Sequence, residues 1–195
     1  MRPRLLVIGT LAGALVLFAW QAASHELLHL PEKGFRAFPN DSSGSPAHVI
    51  RALAPTNGMY YSARGVFVAV DISANYADKT TQFGAMLGKQ FAVNLAVVLV
   101  LALLAERIAE ERVLGTAGTF ALLALAFQGM MDLSNEIWWN YSWAWTLGNM
   151  LDQVIAFFLV GLTLGALRRR YGEARIKTAE RPALPVTPDR YLVGR

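Results

Sequence analysis

The feature that most constrains this chain is a set of long stretches with almost no charge. Leu5–Ala22 is an unbroken run of eighteen uncharged residues. Phe91–Ala105 is a second apolar stretch, extended upstream by Phe83–Leu87. Val113–Met131 and Trp145–Leu167 make a third and a fourth. A helix rises about 1.5 Å per residue, so roughly 20 apolar residues cross a hydrocarbon core about 30 Å thick. Backbone groups in that core must bond within their own segment, which leaves helices or closed barrels. Runs of this length predict an all-α membrane protein with four transmembrane helices. Charged residues are only 16% of the chain, against about 25% in soluble domains. The chain is therefore short of the surface that a soluble fold needs.

The boundaries divide the chain into four parts. Residues 1–30 hold the first helix and its outer extension. Arg2 and Arg4 followed by an apolar run also fit a signal peptide, with Ala22-Ala23-Ser24 as small residues for cleavage. The run is long for such a peptide, so the reading is an uncleaved first span. SHELLHLP continues that helix for about two turns until Pro31 stops it. Residues 31–80 form a small mixed α/β cap. Phe35–Pro46 reads as loop, and Ser45-Pro46 as the start of a short helix to Leu53. Met59–Tyr61 and Gly65–Ser73 are rich in strand formers and predict a hairpin. Residues 81–167 carry three further spans, the first of them inside one long helix over Thr80–Val113. Residues 168–195 read as a basic, mostly disordered tail that Arg168–Arg170 sets off from the last span.

Lys and Arg near the span ends set the expected orientation. Arg2 and Arg4, then Arg107 and Arg112, then Arg168, Arg169, Arg170, Arg175 and Lys177 fall on one side of a four-span layout. The loop between spans three and four has none. This predicts N-in and C-in, with the cap outside. Trp138, Trp139, Trp143 and Trp145 then lie at the outer interface as an aromatic belt.

Candidate functional residues gather at that same end. Asp132, Glu136 and Asp152 stand in or beside apolar helices, where an acid is costly unless partnered. Asp132 and Glu136 are four apart and share a face if the helix reaches them. His25-Glu26-Leu27-Leu28-His29 matches HExxH, which on a helix turns two imidazoles to one side as zinc ligands. Together His25, His29, Asp132, Glu136 and Asp152 form a candidate set for a divalent metal. No catalytic residue is assigned. The plainer reading makes the histidines interfacial side chains. It makes the acids capping and inter-helix hydrogen-bond partners of Ser134, Asn135 and Asn149, while Gln128 and Gln153 add amides near the candidate set. Asn94 reads as inter-helix glue in the same way.

Gly9–Gly13, Gly84–Gly88 and Gly161–Gly165 have GxxxG spacing, which lets helices approach closely within a bundle or between copies. The net charge of +4 sits mainly in the C-terminal segment, so it does not mark a nucleic-acid surface. With no cysteine, thiolate metal sites and a Cys nucleophile are excluded. There is no Walker loop, GxSxG or dinucleotide fingerprint.

The first span ending in SHELLHLP, then GFRAFPND, GMYY, LGKQFAVNLA, and a WWN loop leading to LDQVIAFFLVGLTLGAL resemble a family of small multi-span bacterial inner-membrane proteins. The likeness covers most of residues 5–167. It implies a bacterial inner-membrane setting and assigns no role to any residue.

The expectation from sequence is a structural or accessory membrane subunit without catalytic activity. Its partners are the lipid bilayer and a homo-oligomer or larger complex. The alternatives are a metal-binding protein, with hydrolase chemistry at HELLH, and a small-solute or proton carrier using the acids.

Overall fold

The computed structural model describes residues 3–30, 32–35, 45–54, 56–62, 66–70, 76–108 and 112–179. The loop expected over 36–44, Pro31, the outer parts of the second β run and the segment from residue 180 onward lie outside them.

The elements in chain order are α1 (Pro3–Ala23), α2 (Ser45–Leu53), β1 (Gly58–Tyr61), β2 (Phe67–Val70), α3 (Tyr76–Arg107), α4 (Val113–Trp139) and α5 (Trp143–Ala179). Among the described residues four helical stretches are long and apolar enough to cross a membrane: Pro3–Leu28, Phe83–Arg107, Val113–Trp139 and Trp143–Tyr171. The chain is a multi-pass membrane protein built as an all-α bundle, with a small mixed cap between its first and second spans.

The helices pack through alanines and valines together with three leucines and one phenylalanine. Ala14 and Leu17 of α1 meet Val98, Leu101, Ala102 and Ala105 of α3, Phe120 of α4, and Ala156, Val160 and Leu164 of α5 in one core. The α4–α5 pair has the longest seam, and α1 packs on both α3 and α5. Glycine sets how close these seams can be. A Cβ on Gly161 would lie 2.6 Å from the Ala117 Cα, and one on Gly165 would lie 3.1 Å from the Val113 Cα. A Cβ on Gly13 would meet Val98 Cγ1 at 2.6 Å. Gly84 and Gly88 have nothing within 4 Å and face outward. Many large apolar side chains also face outward, including Val7, Leu15, Val100, Leu114, Leu122 and Phe127. Exposure on this scale is a liability in water and the ordinary state in lipid.

The structure moves four expected boundaries. The first helix does not run as α-helix to Pro31. It passes into a π turn at Ser24–Leu28 and ends at His29, which adopts the left-handed conformation (φ 49°, ψ 40°). The amides of His29 and Leu30 both reach the Ser24 carbonyl, so the backbone closes itself before the proline. The third span extends two turns past Met131 to Trp139, where Asn140 takes the same left-handed cap (φ 53°). The second span's helix ends at Arg107 rather than continuing to Val113. There Arg168 Nη1 donates to the Ala105 carbonyl at 2.6 Å, satisfying one terminal acceptor from a neighbouring helix. Arg168–Arg170 do not interrupt α5, which continues to Ala179.

The cap forms as expected at its centre. β1 and β2 pair antiparallel, with Met59 opposite Ala69, Tyr60 opposite Val68 and Tyr61 opposite Phe67. Phe67 stacks on Trp139 with ring centroids 4.6 Å apart. Gly34 sits against Trp145 so closely that any Cβ there would collide with that residue's backbone. The Ser142 hydroxyl donates to the Gly34 carbonyl at 3.0 Å. It also accepts the Trp145 amide at 3.2 Å, which makes Ser142 the N-cap of α5. The cap is thus fastened to the α4–α5 turn.

Candidate functional site

The extra turns of α4 place Asp132 inside a membrane-spanning helix rather than in a loop. Its side chain is 1% exposed. Gln128, one turn earlier, sends its amide nitrogen to the two carboxylate oxygens at 3.0 and 3.1 Å. Asn149 of α5 does the same at 3.0 and 3.0 Å. An ionised carboxylate only accepts hydrogen bonds, and here both oxygens are engaged by two uncharged amides. One amide comes from the same helix and the other from its neighbour, so Asp132 is a tie across the α4–α5 seam.

Asp152, also 1% exposed, makes the corresponding tie to α1. The indole Nε1 of Trp20 donates to Asp152 Oδ1 at 2.8 Å and to its backbone oxygen at 3.1 Å. Gln153 Nε2 donates to Oδ2 at 3.1 Å. Among the described residues no cation pairs with Asp132 or Asp152.

A third group joins α1 to α3. Asn94 Nδ2 donates to Gln21 Oε1 at 2.7 Å, and Gln90 Nε2 donates to Asn94 Oδ1 at 3.0 Å. Asn94 is almost fully buried, so these bonds replace hydration that it cannot have. The three seams α4–α5, α5–α1 and α1–α3 therefore each carry one polar knot.

No family model matches this chain, and no curated protein or solved structure does.

The remaining candidates lie apart from the knots in character. His25, Glu26 and His29 are exposed on the π turn and its cap. His29 has left the helix, so the two imidazoles do not share a regular helical face. His29 Nδ1–H donates to the His25 carbonyl at 2.6 Å. Glu136 is half-buried one turn beyond Asp132. Among the described residues no three His, Asp or Glu side chains gather as ligands for one ion.

Asn149 and Asn94 were recognisable partners from their position and type, and Gln128 and Gln153 stood out only as amides near the acids. Trp20, Gln21 and Gln90 were not recognisable. A tryptophan in an apolar run reads as packing, and nothing local indicates that its N–H meets an acid 132 positions away. Ser142 carried a usable signal, since Ser three residues before Trp145 fits an N-cap.

Proposed function

We propose that this protein is a non-catalytic structural or accessory subunit of a bacterial inner-membrane assembly, with N-in and C-in topology. The observation that carries the reading is that the buried acids are engaged as helix ties. Asp132 and Asp152 each have both carboxylate oxygens occupied by donors from their own and a neighbouring helix. Polar side chains used in this way hold spans together. The cap, clamped to the α4–α5 turn through Ser142 and Phe67, supplies a fixed outer surface. The Lys and Arg residues at the opposite end support the orientation.

The test is extraction from native membranes in mild detergent, followed by native mass measurement. The proposal predicts a defined stoichiometric species larger than the 21.4 kDa chain. A lone monomer under several mild detergents contradicts it. Topology is read separately with single cysteines, for which the cysteine-free chain is a clean background. Arg51→Cys reacts with an impermeant maleimide in intact spheroplasts, and Tyr171→Cys reacts only after lysis.

A second reading is metal binding at the HELLH turn. It is favoured by His29, whose ring is oriented by a backbone carbonyl through Nδ1, as metal-bound imidazoles commonly are. It predicts about one divalent ion per chain, lost in His25→Ala/His29→Ala, by elemental analysis.

A further inference from the structure

We infer that the cap is not raised into water but lies in the headgroup region of the same bilayer, with one face of the hairpin and one stripe of α2 inserted among lipid.

The hairpin register identifies the face. Tyr61 pairs with Phe67 and Met59 with Ala69, and side chains alternate along a strand, so Met59, Tyr61, Phe67 and Ala69 share one side. Phe67 on that side stacks on Trp139. The other side carries Tyr60, whose hydroxyl donates to the Thr56 carbonyl at 2.7 Å and is thereby used within the cap. The face turned to the end of α4 is therefore the one that leaves Met59 70% and Tyr61 69% exposed. Beside it, Trp138 is 75% exposed at the last turn of a membrane-spanning helix. Tryptophans at span ends mark the level of the lipid headgroups. The apolar hairpin face is continuous with that belt.

Helix α2 gives a second, independent indication. Pro46, Val49, Ile50 and Leu53 fall within an arc of about 100° at helical spacing, and His48 and Arg51 fall on the opposite side. Half of the stripe is open, with Val49 54% and Leu53 76% exposed, while Pro46 and Ile50 are half-buried. A short helix with one apolar stripe and a basic opposite face is suited to lie in the membrane interface, its apolar side sunk about 5–10 Å to the acyl boundary. Large exposed apolar groups on two neighbouring elements, one of them joined to the tryptophan belt, need a common apolar cover. The bilayer that surrounds the four spans is already there to supply it.

The test uses the full chain reconstituted in vesicles of phosphatidylethanolamine and phosphatidylglycerol. Spin labels are placed on single cysteines at Val49, Leu53 and Met59, with His48 and Arg51 as partners on the polar face. All five sites have exposed side chains, so the labels displace no packing. Collision with oxygen, which concentrates in lipid, is compared with collision with a water-soluble nickel chelate. The inference predicts an oxygen-to-nickel ratio several-fold higher at Val49, Leu53 and Met59 than at His48 and Arg51. Equal, water-like ratios at all five sites overturn it. Low collision with both reagents at the apolar sites also overturns it, because a second copy or another protein would then be the cover. The wild-type chain gives a check without substitutions: a diazirine-bearing lipid probe should label peptides spanning residues 45–61. Labelling confined to the four spans overturns the inference.

Discussion

The Trp20 indole nitrogen lies 2.8 Å from Asp152 Oδ1, joining α1 to α5. The bond does for a membrane helix what hydration does in water, since a buried acceptor without a donor costs about 1–3 kcal/mol. Trp20→Phe keeps an apolar ring and removes only the donor. Asp152 then retains Gln153 alone. Thermal unfolding in detergent should show a loss of about 1–3 kcal/mol, and Asp152→Ala combined with Trp20→Phe should cost less than the sum of the two.

Glycine at the α4–α5 seam gives a contrast within one sequence motif. Gly161→Ala places a methyl 2.6 Å from the Ala117 backbone, so the helices must separate. Overpacking of this kind costs about 1–3 kcal/mol. Gly84→Ala and Gly88→Ala meet nothing within 4 Å and should be neutral or slightly stabilising, since helical alanine outranks glycine. Unfolding of the three variants side by side checks the assignment of faces.

The Ser142 hydroxyl serves both α5 and the cap. Ser142→Ala removes the N-cap from the Trp145 amide, at a cost of about 0.5–2 kcal/mol. It also frees the Gly34 carbonyl. Hydrogen exchange should accelerate both at the start of α5 and over residues 32–35. A change confined to α5 would show that the cap is held by other contacts.

Arg168 closes the other end of the bundle. Arg168→Met keeps the stem and removes the donor to Ala105. Exchange should rise over the last turn of α3, around residues 104–108, with the rest of the helix unaffected.

Much of the fold was legible because the apolar runs are long and the alternatives in lipid are few. The hairpin and α2 were legible from strand formers and from Ser45-Pro46. The ends of the spans were less so. Asp132 and Glu136 look like loop residues after Met131, yet α4 absorbs them, because Asn149 supplies Asp132 with donors from outside the segment. Asn140 and His29 end their helices in left-handed conformations. Asn is a recognisable terminator of that kind, and His is not. The partners of Asp152 and Asn94 depend on the rotation of α1, and spans apolar on every side carry little pattern from which rotation can be read. For the same reason three GxxxG pairs looked alike, although Gly161–Gly165 line a helix seam and Gly84–Gly88 do not.

Whether Asp132 ties α4 to α5 is decided by a double-mutant cycle on Asp132 and Asn149. Unfolding free energy in detergent is measured for wild type, Asp132→Ala, Asn149→Ala and the pair. The expected coupling is about 0.5–2 kcal/mol, in the range of inter-helix polar contacts. Strict additivity, with each single variant as stable as wild type, would show that the carboxylate does not hold α4 to α5 and would return Asp132 to the list of residues kept for chemistry.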